Sequence, residues 1–212
     1  MGTLSHMQTN QSNSADVIAV IGATGSGKGV YIKNYALKKS DKRLLIWDYM
    51  REYGSFVDQS SEALAPVIQS MTQAQFKAAF LPSFDDKVRK QQFDLFCKAA
   101  VHAGNLRLVV EELAFVTSPS FAPAGWKMVS SVGRHKGLRV IGASQRPAQV
   151  DKAFWSNCTE IHCGFLNYEA DQKVMAQVLG VTISDIQGLE PLQYIHKNVR
   201  TKKINMGRVK VP

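Results

Sequence analysis

Val17-Ile-Ala-Val-Ile-Gly-Ala-Thr-Gly-Ser-Gly-Lys-Gly-Val30 is the stretch that decides the fold. Its first five residues are apolar and largely β-branched, which predicts a short buried strand over 17–21. A glycine-rich turn follows at once, and the apolar spacing of Val30, Tyr31, Tyr35 and Leu37 then predicts a helix. A strand, a flexible turn and a helix start are what a triphosphate cradle needs. Glycines let successive N–H groups point inward, the helix start adds positive potential, and a lysine reaches the outer phosphates. Gly22, Gly27 and Lys28 have the G-x-x-x-x-G-K spacing, so Gly22, Ala23, Thr24, Gly25, Ser26, Gly27, Lys28, Gly29 and Val30 are the expected nucleotide-binding residues. The competing reading, a glycine turn that binds nothing, does not account for the strand and helix on either side. One position departs from the pattern. Where Ser or Thr would put a hydroxyl on magnesium, this chain has Gly29, so the metal must rely on carboxylates, water, or a hydroxyl such as Thr24 or Ser26.

The 212 residues are 45% hydrophobic, enough for one sizeable core, and 16–212 is read as a single domain. The net charge of +9 points to a polyanionic partner. No apolar run of about eighteen residues exists, so no spanning helix is expected. Cys97, Cys158 and Cys163 are too few and too irregular for a disulfide framework. The last two flank His162 in an apolar run, which reads as a strand with small buried side chains rather than a zinc site. Residues 1–7 have the look of an expression scar, with Met7 the natural start, and 8–15 read as polar and frayed.

Leu44-Leu-Ile-Trp47 predicts a second strand ending at Asp48, with Glu52 and Tyr53 just beyond. Ligand chemistry collects at strand ends in such sheets, so Asp48 and Glu52 are expected near the nucleotide, Asp48 within the metal shell; pairing with a nearby lysine is the plainer alternative. Residues 66–70 suggest a short strand, and Thr72 with Gln75 resembles a capping box opening a helix to Phe80. Ser83 is read as the cap of a longer helix. Val88, Phe93, Phe96, Cys97 and Ala100 form its buried stripe, and Lys87, Arg89 and Lys90 its solvated face. Leu106-Arg-Leu-Val-Val110 then predicts the strand that carries Glu111 and Glu112. After a phosphate loop, paired acids at a strand end suit one carboxylate in the magnesium shell and one that deprotonates water.

A helix over 125–135, a turn around Arg134 and a strand over 138–143 come next, and that strand ends in Ser144-Gln145-Arg146-Pro147. Residues 148–157 read as a short helix, 159–166 as a strand, 168–179 as a helix capped by Asn167, and 182–188 as a helical turn or two. Residues 192–196 and 202–206 read as a closing hairpin or edge strands. The alternation predicts an α/β fold: a mostly parallel sheet with helices on both faces and antiparallel additions at the C-terminal end. The strand bearing the acids should lie beside the phosphate-loop strand or one strand removed.

Together these motifs resemble the HerA/FtsK branch of P-loop ATPases, with its RecA-like ASCE-type domain, over roughly 17–194. The resemblance rests on the phosphate loop, the Asp48…Glu52-Tyr53 pair, Val109-Val-Glu-Glu112 and Ala143-Ser-Gln-Arg-Pro147, the last being the most discriminating. It implies ATP and Mg2+ as ligands, Lys28 on the β- and γ-phosphates, Glu111 in the magnesium shell, Glu112 as general base and Gln145 as γ-phosphate sensor. Arg134 stands where the family carries an arginine that reaches into a neighbouring subunit, and Arg146 is the second candidate for that role. Glu111 stands where aspartate is more usual. The chain's size is most similar to that of the genome-packaging ATPases of tailless, membrane-containing viruses and phages. That resemblance implies a homo-oligomeric ring, a hexamer, moving double-stranded DNA into a preformed capsid. It would work in the cytoplasm of the infected host or at the virion's packaging vertex, beside capsid or membrane proteins. Lys127, Lys136, Lys197, Arg200, Lys202 and Lys203 are the candidate DNA contacts. Two other readings are a nucleotide kinase of adenylate-kinase type and a non-catalytic assembly factor that keeps nucleotide as a structural element. The kinase would need an arginine-rich lid, and the sequence between the second and the acid-bearing strand has no such cluster.

Overall fold

The computed structural model describes residues 16–38 and 40–211, so the reading of 1–15 lies outside the described residues. The strands are β1 (Val17–Ile21), β2 (Arg43–Trp47), β3 (Gln59–Ser61), β4 (Phe76–Phe80), β5 (Arg107–Val110), β6 (Arg139–Ser144), β7 (Glu160–Gly164), β8 (Gln193–Asn198) and β9 (Lys203–Arg208). They form one sheet in the order β3-β4-β2-β5-β6-β1-β7-β8-β9. Every pairing from β3 to β7 is parallel; β8 runs antiparallel to β7, and β9 to β8. The acid-bearing β5 is thus one strand removed from β1, with β6 between them.

All five residues of β1 are buried because the sheet is covered on both faces. Val17, Ala19 and Ile21 enter the larger core, and Ile18 and Val20 the smaller one. Burying each large aliphatic side chain there stabilises the fold by about 2 kcal/mol. After helices α1 (Lys28–Tyr31) and α2 (Leu64–Ser70), four more cover the larger core: α3 (Asp86–Ala103), α4 (Ala124–Val132), α5 (Lys152–Asn157) and α6 (Glu169–Leu179). The smaller core is closed by the helix after the phosphate loop, Lys28–Tyr31, which continues as a π-helical turn over Ile32–Ala36. A further short helix, Ile183–Gln187, opens with a capping box in which Thr182 and Asp185 satisfy each other's amides.

Several expectations are corrected. The strand proposed for 66–70 is a helix, Leu64–Ser70. Pro66 falls in its first turn, where a missing N–H does no harm, and Val67 and Ser70 are buried at helical spacing. The helix proposed up to Phe80 is β4. Phe76, Ala78 and Phe80 face the larger core and Ala79 the smaller, so pairing with β2 outweighs the helical preference of two alanines. In α3 the cap is Asp85, whose side chain accepts from the Val88 N–H, while Ser83 accepts from the Asp85 N–H. Val88 is exposed, and Arg89, assigned to the solvated face, is buried. The Arg89 guanidinium donates to the Phe84 carbonyl, pairs with Asp86 and lies against the rings of Tyr49 and Phe115. Helix α6 is capped at Tyr168, without a side-chain bond, rather than by Asn167.

Candidate active site

The parallel strands deliver their C-terminal ends to one edge of the sheet, and the candidate residues are placed there in turn. Between β1 and the first helix the chain turns tightly. Gly25 and Gly27 have φ of +81° and +86°, which only glycine adopts without strain. A Cβ on Gly22 would stand 2.3 Å from Ser26 Oγ, so the loop can fold back on itself only through glycine there. The N–H groups of Gly22 and Ala23 donate to the carbonyls of Ser144 and Phe165, which ties the loop to the ends of β6 and β7. Lys28 and Gly29 begin the helix, and Val30 follows in it.

Glu111 and Glu112 follow β5. Glu112 adopts a left-handed backbone, φ +50° and ψ +59°, uncommon for a residue with a Cβ. Its carboxylate accepts from the Gln145 side-chain amide at 2.9 Å and from the Gln145 N–H at 3.3 Å. Lys28 Nζ lies 3.6 Å from the same carboxylate, and Thr24 donates its hydroxyl to Gln145 Oε1 at 2.9 Å. Thr24, Lys28, Glu112 and Gln145, from three separate segments, therefore close a ring at the mouth of the phosphate loop.

Glu111 is buried behind them and its Oε2 makes no hydrogen bond. Burial pushes its pKa up to about 7; Lys28 pulls it down, and the carboxylates of Asp48 and Glu52 push it up again. Asp48 is buried, and its two oxygens accept from the N–H groups of Glu52 and Tyr53 at 2.8 and 3.0 Å. It clamps the turn after β2, which holds Glu52 out toward the first helix. There Glu52 lies 3.6 Å from Lys33 Nζ.

Arg146 is engaged within its own chain. Its Nε donates to Asp171 at 2.7 Å and its guanidinium lies over the Tyr168 ring, 4.2 Å from the centroid. Asp171, fully buried in α6, also accepts from the Ala148 N–H, so it anchors the loop that follows Gln145. Sequence reading missed Asp171; its one signal was an acid in the first turn of a helix. Arg134 is not brought to this site. It sits in the turn before β6, exposed, with its Nε on the His135 ring. From Arg139 to Ser144 the strand runs five steps of ~3.3 Å, placing Arg134 at the opposite edge of the sheet.

Four of the six basic candidates lie at the edge away from the phosphate loop. Lys136 shares the turn with Arg134, and Arg200 and Lys202 lie in the turn between β8 and β9, with Lys203 opening β9. Because Asn198 pairs with Glu160 at the start of β7, that turn belongs to the same far edge. Lys197 donates to the Val178 carbonyl, and Lys127 is exposed on α4. Cys158 and Cys163 are buried, each thiol on a backbone carbonyl, and the His162 ring stacks on Tyr31 at 3.6 Å between centroids.

No family model matches the chain. The genome packaging NTPase B204 from Sulfolobus turreted icosahedral virus 2, in complex with AMPPCP, superposes with a TM-score of 0.72 at 17% identity, covering 93% of this chain and 99% of that one. The bacterial conjugative coupling protein TrwBdeltaN70 gives a TM-score of 0.56 at 14% identity, covering 69% of this chain and 44% of that one. The chain thus has the fold of the P-loop NTPases, with a viral genome packaging NTPase and a conjugative coupling protein among its structural neighbours. In sequence the chain is 30% identical over 175 residues to protein P9 of Pseudoalteromonas phage PM2, across 81% of this chain and 78% of that protein. The chain belongs to the family of that phage protein.

Proposed function

We propose that the chain hydrolyses ATP to ADP and phosphate and uses the free energy released to pump double-stranded DNA into a preformed capsid. The observation that carries this reading is the ring of Thr24, Lys28, Glu112 and Gln145 at the mouth of the phosphate loop. A γ-phosphate entering that mouth would draw Lys28 away from Glu112. The freed carboxylate would then orient a water and accept its proton as the terminal phosphoryl bond breaks. Gln145 would report the phosphate's presence to β6; its hydrogen bonds to Glu112 and to Thr24 of the loop support that role.

The donor set also fits Mg2+. Glu111 is a buried carboxylate with an orphaned oxygen beside Lys28, and a cation there would replace the proton that burial otherwise favours. When bound, the ion would neutralise phosphate charge; Glu111 would hold it through its free oxygen.

In this reading the subunits assemble as a ring, six in number. Arg134 reaches from the far edge of one subunit toward its neighbour's phosphates, and the basic groups of that edge grip the DNA backbone. The net charge of +9 supports a polyanionic partner, and such contact would weaken steeply with salt. The work would be done in the cytoplasm of an infected host and at the packaging vertex of the virion, against capsid or membrane proteins. The test is phosphate release with and without duplex DNA, alongside light scattering. A ring that forms with ATP analogue and DNA and turns over faster is expected. A monomer that DNA leaves unchanged in both respects would refute the motor reading, and phosphate transfer to a nucleoside monophosphate would replace it with a kinase.

A further inference from the structure

At position 29 the helix carries no side chain, yet the space in front of it is not empty. A Cβ on Gly29 would meet one atom within 4 Å, Glu52 Oε2 at 3.6 Å. The carboxylate therefore faces the position that a serine or threonine side chain would enter. Its placement is built rather than incidental, because Asp48 fixes the turn by accepting from the N–H of Glu52 itself and of Tyr53. Of the two loop hydroxyls, Thr24 is engaged with Gln145, while Ser26 Oγ has no hydrogen-bond partner and is enclosed between Gly22 and Gly164. Glu111, with its unpartnered, buried Oε2, is near enough for both Asp48 and Glu52 to act electrostatically on it.

We infer that Glu52 supplies the metal-shell oxygen that a hydroxyl residue after Lys28 would otherwise give, so that Gly29 and Glu52 are one exchanged pair. The inference rests on the nucleotide-hydrolysing reading above. It follows chemically that an oxygen anion replaces a neutral oxygen, which favours a hard divalent cation such as Mg2+ or Mn2+. Glu52 is half-exposed, so exchanging it for glutamine leaves the fold intact. A Cβ at position 29 meets Glu52 at 3.6 Å, an ordinary contact, so a serine can be introduced there.

The test uses the full chain saturated with AMPPCP and titrated with Mn2+, the free ion being read by electron paramagnetic resonance. Nucleotide affinity in EDTA is measured separately. Glu52→Gln should weaken Mn2+ by about tenfold or more, and Gly29→Ser in that background should restore most of the loss, with affinity in EDTA unchanged throughout. Mn2+ affinity within about twofold of wild type in Glu52→Gln, or a loss that Gly29→Ser does not repair, overturns the inference. A wild-type chain that binds no AMPPCP with or without metal overturns the nucleotide reading itself, and that outcome is separate because it appears before any substitution is made.

Discussion

The Gln145 side-chain amide donates to Glu112 at 2.9 Å, and Gln145 in turn accepts from Thr24 of the phosphate loop. Glu112 also faces Lys28 at 3.6 Å. In its proposed role as general base, this carboxylate stays occupied on both sides until a phosphate competes for the lysine. Its left-handed backbone holds the carboxylate over the loop.

Replacing that carboxylate isolates its role. Glu112→Gln should retain ATP-analogue binding, because its amide still spans the gap to Gln145, while turnover falls by about a hundredfold or more. Phosphate release and analogue titration measure the two halves. Normal turnover would assign the base elsewhere.

Gln145→Ala removes the link between loop and base without touching Lys28. Turnover should fall about tenfold to a hundredfold while analogue affinity moves by no more than about threefold. If binding and turnover fall together by the same factor, Gln145 serves only to hold nucleotide.

Asp171 anchors the segment after Gln145 from inside α6, through Arg146 and the Ala148 N–H. Asp171→Ala removes both bonds and should destabilise the protein by about 2 kcal/mol, read as a lower urea midpoint at unchanged slope. Turnover should drop as well, since the Gln145 loop loses its support. An unchanged midpoint would mean that the pair is immaterial to the folded state.

Acid stability should depend on His162. Burial lowers its pKa from 6.5 to about 3, with His196 adding to the effect, and the ring nitrogens have no hydrogen-bond partner. The unfolded chain takes up a proton below pH 6.5 that the folded chain refuses until about pH 3, so this residue withdraws stability as pH falls through that window. His162→Phe keeps the stack on Tyr31 and removes the titration. Relative to wild type, the variant should gain stability at pH 5 over pH 7 in urea unfolding; parallel pH profiles would show that His162 is protonated in the fold.

Much of this molecule could be read before any coordinates. The apolar runs at 17–21, 44–47 and 108–110 lie in strands because a parallel sheet buried on both faces needs hydrophobic stretches, and the candidate site residues sit just after them. At 66–70 the β-branched Val67 and Ile68 suggest a strand, but burial at helical spacing decides; at 72–80 Thr72 and Gln75 imitate a helix cap, but tertiary pairing to β2 decides. Arg89 escaped because its burial depends on Tyr49 and Phe115, which reach it from distant segments. The meeting of Glu52 with Gly29 was illegible for a simpler reason. It depends on an atom that glycine lacks and on a turn set by Asp48, and neither leaves a periodic trace.

Arg134 precedes β6 and Gln145 follows it, so two functional candidates occupy opposite ends of one hydrogen-bonded strand. Flanked by β5 and β1, that strand can neither stretch nor slip alone. In the proposed motor, that strand would carry a displacement at the nucleotide end to the opposite rim through six residues of backbone rather than through a relay of side chains.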